Sequence, residues 1–269
     1  MVDIWRTFDP IPINEIMNHP DVRPWLSDEP GYVDMAWKMA RQDIVTVLMG
    51  DHGAFTAYKL LPGVYEFHTQ ILPEGRGKWA REFAEAGLLW MFTKTDAYEL
   101  LTRVPENHRG ALFAARAMGL RQDFVDHNQF QYQGEMVSSL IHSIRIQDWA
   151  AAAPAIEAAG QMLHEKIDEI GTNSGVIGTI WPETHEDCPA HNRYLGAAYH
   201  CALGGQLGKG VLLYNRWLLA SHVNPHLQAK VISCEPPKIW LYHAEITLFP
   251  NGDFDITPES GKCLKQQLA

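Results

Sequence analysis

The stretch Val64 to Met91, VYEFHTQILPEGRGKWAREFAEAGLLWM, limits the fold of this chain more than any other. Between Val64 and Leu72 alternate residues separate into Tyr65, Phe67, Thr69 and Ile71 on one face and Val64, Glu66, His68 and Gln70 on the other. This period of two marks a strand, with one face mainly apolar and the other carrying functional groups. From Trp79 onward the apolar spacing changes to three and four, with Trp79, Phe83 and Trp90 on one stripe and Ala80, Ala84 and Met91 beside it, which predicts a helix. Arg81, Glu82 and Glu85 are left for solvent.

A strand that passes through a glycine-containing turn into a helix is also a generic anion site. The first amides of the helix have no intrahelical acceptor, and the positive end of its dipole faces outward. Gly75-Arg76-Gly77-Lys78 sits at that start. The plainer reading is a flexible helix start with two solvated cations.

Taken in order, residues 1 to 30 hold Pro10, Pro12, Pro20 and Pro24 around a short helical segment, Ile13 to Met17, and read as an N-terminal arm. Val33 to Arg41 has helical spacing. Ile44 to Met49 and Ala54 to Leu61 are strands joined by Gly50-Asp51-His52-Gly53, a hairpin signal. Tyr98 to Val104 reads as a strand and Asn107 to Met118 as a helix with Ala111, Ala114, Ala115 and Met118 inward. Gln122 to Tyr132 and Met136 to Ile146 are strands about Gln133-Gly134. Strands and helices therefore interleave as a mixed α+β sheet requires.

A second region begins near Asp148, which caps Trp149 to Ala153, and Pro154 opens a longer helix reaching about Ile170. Residues 191 to 204 and 207 to 220 are helical. Lys230 to Ser233, Ile239 to Leu248 and Phe254 to Ile256 are strands. The predicted architecture is α+β, with a mixed-sheet domain over 1–147 and a second domain of helices and a small antiparallel sheet over 148–269.

Net charge argues against one class of partner. At −10 the chain lacks the dense cationic footprint that general nucleic-acid binding needs. Its longest apolar runs are far too short to span a bilayer, and MVDIWRTFDP has no basic region followed by an apolar core, so neither membrane anchor nor signal peptide is expected. Four cysteines, Cys188, Cys201, Cys234 and Cys263, lie far apart in the last third, which fits a reducing compartment better than a disulfide scaffold.

His185, Cys188 and His191 have the ligand types of a zinc site, but their spacing matches no common zinc module, so ordinary polar residues of a loop and helix start are the expectation. Glu186 and Asp187 would raise the Cys188 pKa, which speaks against a nucleophilic thiolate. KGVLLYNRW, from Lys209 to Trp217, mixes aromatic and basic residues and reads equally as a packing stripe.

Val64 to Met91 together with Val104 to Leu120, VPENHRGALFAARAMGL, resembles the GNAT superfamily of acyl-CoA N-acyltransferases. In that family a strand ending in a P-x-x-R-G-x-G-x-G-type turn holds the coenzyme pyrophosphate, and a later strand leads to an N-x-x-A…G-F-type helix beside the pantetheine arm. Pro73, Arg76, Gly77, Asn107, Ala111, Gly119 and Leu120 stand at matching places over roughly residues 1 to 127. The resemblance implies, for an active enzyme, acetyl-CoA on Gly75, Arg76, Gly77, Lys78 and Asn107, and Glu66, with His68 as the second choice, as general base.

This chain departs from the family pattern where it has Trp79 and Arg81 in place of two glycines, and Ala114 or Ala115 where many members carry an acidic tyrosine. An indole on the first helical turn is expected to block the close backbone approach of a phosphate.

The second half, through DWAAAAPAIEAAGQMLHEKI and HNRYLGAAYHCALGGQLGKGVLLYNRW, resembles the C-terminal extension of GNAT-like proteins encoded by tailed bacteriophages. Two functions are implied. One is a virion-associated or assembly protein of the head-tail region, present in the virion and in the host cytoplasm during assembly. In it a degenerate GNAT fold without cofactor serves as scaffold for other phage virion proteins or for self-association. The other is an active acetyl-CoA-dependent N-acetyltransferase modifying a host or phage amine.

Overall fold

The computed structural model describes residues 2–27, 31–152, 156–163, 165, 189–220, 229–241, 244–249 and 254–258. The chain divides into two compact units, Met1–Phe92 with Ala97–Ile146, and Thr93–Asp96 with Gln147–Ala269. Among the described residues no helix is long and apolar enough to cross a membrane.

Alternation in the first unit resolves into seven strands: β1 (Trp5–Arg6), β2 (Val45–Gly50), β3 (Gly53–Leu61), β4 (Val64–Ile71), β5 (Glu99–Pro105), β6 (Arg121–Tyr132) and β7 (Glu135–Arg145). They form one sheet in the order β1-β2-β3-β4-β5-β7-β6. Every neighbouring pair is antiparallel except β4 with β5. That exception follows from the helix between them, α3 (Lys78–Lys94), since parallel neighbours need a crossover. The β6–β7 hairpin turns on Gln133 and Gly134 at φ of 52° and 83°, the left-handed pair of a type I′ turn. β6 is an edge strand whose pairing with β7 shifts register twice, at Gln122/Phe124 and at Asp126/Phe130.

Each sheet face has its own core. Val45, Val47, Met49 and Ala54 pack with Ile13, Ile16 and Met17 of α1 (Pro10–Met17) and with Met35 and Met39 near α2 (Ala36–Met39). Asp9 caps α1 by accepting from the Ile11 amide at 2.9 Å. On the opposite face Phe55 and Phe67 stack 4.9 Å apart. There α3 crosses with Gly87 against the Phe55 ring.

The helix expected over Val33 to Arg41 forms only at Ala36–Met39. Buried Asn14 accepts from the Met35 amide and Asn18 from the Val33 amide, both at 2.8 Å. These side chains hold the arm in a non-helical course.

α5 (Ile146–Ala152), which begins on the last residue of the first unit, starts two residues ahead of the expected Asp148 cap. It is followed by a helical stretch over 157–163, α6 (Pro189–Leu203) and α7 (Leu207–Ala220). The 157–163 stretch and α6 cross where neither has a side chain. A Cβ on Gly160 would lie 1.7 Å from the Asn192 carbonyl oxygen, and one on Gly196 1.8 Å from that of Ile156. The core joins Leu195, Tyr199, Leu207, Val211, Tyr214 and Leu218 to Ile246 and Leu248.

The small sheet is antiparallel in the order β11-β10-β9-β8, from β8 (Lys230–Cys234), β9 (Pro237–Leu241), β10 (Ala244–Leu248) and β11 (Phe254–Pro258). What reads in sequence as one strand, Ile239 to Leu248, is two antiparallel strands paired from Ala244↔Leu241 onward. The apolar pattern runs through the reversal, and no Gly, Pro, Asn or Asp marks it.

Candidate active site

β4 and β5 are paired only at Val64, Tyr65 and Glu66, against Glu99, Leu100 and Leu101. Beyond that point β4 stays with β3 as far as Ile71, and β5 stays with β7 as far as Pro105. The two parallel strands part, each held by its outer neighbour. The start of α3 follows the end of β4, and the start of α4 (Arg109–Ala117) follows the end of β5, so both helix starts lie at this opening.

The Pro73–Gly75 turn is a short 3-10 segment that uses the first amides of the candidate cradle. Gly75 donates to the Leu72 carbonyl at 3.0 Å and Arg76 to that of Pro73 at 3.3 Å. Next come Gly77, which precedes α3, and Lys78, Trp79 and Ala80, its first three residues, whose amides stand too early to have an intrahelical acceptor. The donor cluster therefore sits two residues later than the Gly75 to Lys78 stretch that the sequence suggests.

Gly77 holds φ of +92° with open space where a Cβ would be. Gly75 is glycine for packing: a Cβ there would meet His52 Cβ at 2.6 Å and the Trp79 ring at 3.0 Å. Lys78 and Arg81 lean on Glu82 and Glu85 one turn along, at 3.6 and 2.9 Å.

Trp79 does not lie across this cluster. Its indole stacks on Phe83 at 4.8 Å, meets His52 edge-on at 5.2 Å and touches the space over Gly50. These are residues of α3 and of the β2–β3 hairpin, on the far side of β4 from β5. The helix turns this side chain toward the hairpin and over Gly75.

On the sheet face toward α1, Glu66 and His68 project together from β4. Glu66 Oε1 accepts from His68 Nε2 at 3.1 Å, and its other oxygen accepts from Arg103 Nε on β5 at 3.3 Å. Arg103 Nη1 donates to Asp126 Oδ2 on β6 at 2.8 Å. The chain Asp126, Arg103, Glu66, His68 thus crosses from β6 to β4. The His68 hydrogen bond foremost, then the charges of His68 and Arg103, hold the Glu66 carboxyl below its ordinary value against the opposing effect of burial.

Beside this chain Gln70 donates to Thr56 Oγ1 at 3.2 Å, while its own Oε1 is buried without a partner. Tyr58 faces His68 edge-on, with ring centroids 6.3 Å apart. Burial raises the Tyr58 hydroxyl above its ordinary value.

Asn107 is exposed in the turn ahead of α4 and does not cap it. The cap is His108, whose Nδ1 accepts from the Ala111 amide at 3.3 Å. Burial foremost, with a smaller effect of the Arg76 charge, pulls His108 below the ordinary imidazole value. Trp25 lies on His108 at 3.9 Å and stacks on Tyr132 at 4.4 Å, while Arg76 reaches the Asp21 carbonyl at 3.4 Å. Residues 21–25 thus connect the starts of α3 and α4 to the tip of the β6–β7 hairpin.

Within α4, Ala115 is buried while Ala114, expected inward, faces solvent. Sequence reasoning missed Arg103, Asp126, His108 and Trp25. Only Arg103 left a trace, as the charged member of the alternating run Leu101, Arg103, Pro105.

His185 and Cys188 lie outside the described residues, as does the His191 side chain. Among the described residues no group of three or more His, Cys, Asp or Glu side chains could hold a metal ion. Cys201 is buried in the second unit, where burial pushes its thiol up to about 11. Lys209, part of the KGVLLYNRW stretch, is buried and donates to the Thr95 carbonyl at 2.6 Å.

The seven-stranded mixed sheet with its flanking helices agrees with the α+β class read from the sequence. No family model matches the chain, and no curated protein does. Among solved structures the chain is similar to a spermidine N-acetyltransferase from Vibrio cholerae in complex with CoA and spermine. That match has a TM-score of 0.48 and 16% identity, over 55% of this chain and 97% of that one. It is also similar to a ribosomal-protein-S5-alanine acetyltransferase from Vibrio fischeri, with a TM-score of 0.46 and 11% identity, over 54% of this chain and 93% of that one.

Proposed function

We propose that the first unit is an acyl-CoA-dependent N-acyltransferase that uses acetyl-CoA and acts on a primary amine. The observation that carries this reading is the parting of β4 and β5 with the amides of Gly77 to Ala80, which lack an intrahelical acceptor, at its mouth and the Trp79 indole packed toward the β2–β3 hairpin. Those amides suit a pyrophosphate, because a helix start offers N–H donors and the positive end of its dipole together.

When bound, acetyl-CoA would supply an activated thioester acyl group, and with alanine at 114 and 115 this chain offers no tyrosine there to protonate the departing sulfur. The chain's own residues bind and orient. Gly77 and Lys78 would hold the phosphate end, and the Glu66–His68 pair, on β4 at and just beyond its last pairing with β5, would receive the proton that the attacking amine sheds. The Trp25–His108–Tyr132 stack bounds the open end and helps exclude water.

The second reading, a virion-associated scaffold, rests on the resemblance of the second half to phage-encoded GNAT-like proteins and on Trp79 and Arg81 in place of the family's glycines. Mass spectrometry of purified particles tests it. Calorimetric titration of the intact chain with acetyl-CoA tests the enzyme: binding at micromolar to submillimolar concentration is expected, and no heat at millimolar ligand sinks the proposal.

A further inference from the structure

Asn18, at the end of α1, pins the chain to itself at Val33. Its Nδ2 donates to the Val33 carbonyl and its Oδ1 accepts from the Val33 amide, both at 2.8 Å. Between those points the chain runs out to the parted strands. Backbone bonds fold residues 19–26 on themselves, with Arg23 donating to the His19 carbonyl at 2.9 Å, Trp25 to that of Val22 at 3.0 Å and Leu26 to that of Arg23 at 3.1 Å. The 3-10 turn that results, Arg23–Trp25, carries the Trp25 indole.

This segment meets each side of the opening. Arg76, ahead of α3, donates to the Asp21 carbonyl at 3.4 Å. His108, the cap of α4, lies against the indole at 3.9 Å, and Tyr132, at the tip of the β6–β7 hairpin, stacks on it at 4.4 Å. The Arg76 charge also reaches His108, so the two helix starts are near neighbours and the segment bridges them. Each of these contacts is weak. The Arg76 bond is long and made to a neutral acceptor, and the rings are joined by their surfaces, with Trp25, His108 and Tyr132 only half-buried. The base at Asn18, by contrast, carries two short hydrogen bonds.

A firm base and a weakly fastened tip are the build of a flap. Resting on the acyltransferase reading, we propose that residues 19–27 gate the coenzyme: the segment hinges at Asn18 and Val33, and Trp25 latches it between His108 and Tyr132. A coenzyme whose phosphates sit on the Gly77 to Ala80 amides lies at the mouth that this segment bridges, so it enters and leaves only when the latch is open. A phosphate there offers Arg76 a charged acceptor, which makes a bond about twice as strong as a neutral carbonyl does. Seated coenzyme thus draws Arg76 from Asp21 and leaves Trp25 as the remaining latch. Because the latch closes with or without coenzyme, it sets the rates of transit and contributes little to affinity.

Surface plasmon resonance of acetyl-CoA over the immobilised intact chain reads both rates. Trp25→Ala is expected to raise association and dissociation together by about tenfold, as two lost ring contacts imply, and Tyr132→Ala by about threefold, as one implies, with Kd kept within about threefold. Unchanged rates in both variants overturn the gate. So does a rise in dissociation alone, which would make the stack part of the bound site.

A second measurement needs no coenzyme. Hydrogen exchange at the Arg23, Trp25 and Leu26 amides, resolved by NMR, is expected to run about threefold faster in Tyr132→Ala while the amides of β2 keep their rates. Equal acceleration throughout the first unit, or none in this segment, overturns the latch. Failure of the wild type to bind acetyl-CoA defeats the parent reading instead, and the exchange rates still decide whether Tyr132 holds the segment down.

Discussion

A Cβ on Gly87 would lie 2.5 Å from Cδ2 of Phe55, so α3 rests on the sheet at a distance that only glycine permits. Phe55 is fully buried and stacked on Phe67, and its ring has no room to yield. Gly87→Ala would gain about 1 kcal/mol of helix propensity and lose about 1–3 kcal/mol to overpacking. Net destabilisation in urea unfolding is the expected result, although alanine normally stabilises a helix interior.

Trp79 contributes to packing, and its removal should not open a coenzyme site. Trp79→Ala is expected to cost about 2 kcal/mol from the lost contact with Phe83 and the hairpin. Acetyl-CoA affinity should stay within about threefold, the difference between two titrations at fixed salt. A tenfold gain would restore the blocked-cradle reading.

Glu66 should make stability depend on acid in a defined direction. Its folded-state value lies below 4.5, held there first by the His68 hydrogen bond. A carboxyl depressed on folding contributes stability that is present above its unfolded value and lost as pH falls through the folded one. Urea midpoints of wild type and Glu66→Gln should therefore differ most near pH 7 and converge below pH 4.5.

His108 and Asn107 are adjacent and should behave differently. His108→Ala removes the α4 cap and the ring on which Trp25 lies, which is expected to lower stability by at least ~1 kcal/mol. Asn107→Ala, in an exposed turn, should stay within about 0.5 kcal/mol in the same thermal scan.

What the sequence made legible follows from the reach of each interaction. The two faces of β4 and the stripe of α3 are local patterns, and the Glu66–His68 pair was visible because residues two apart on a strand share a face. Arg103 and Asp126 join that pair from 37 residues away and then 23 further on, through a strand order that no local pattern states.

The direction of Trp79 was unreadable for a related reason. Helical spacing gives a stripe, but the rotation of α3 over the sheet is set by where Gly87 meets Phe55. The shortened α2 and the divided strand at 239–248 failed differently. In the first, Asn14 and Asn18 drew amides away from a helix; in the second, a reversal occurred without turn residues.

The two register breaks in β6 bear on how copies of this chain can meet. A rim of twelve residues with Phe124 more than half exposed would otherwise offer a long template for a neighbouring molecule. Each slip moves the outward backbone groups out of phase with a straight partner, so a flat strand docked there would lose its hydrogen bonds after a few residues. Edge-to-edge growth into fibres is thereby disfavoured along this rim, and a contact made there would have to be built from side chains.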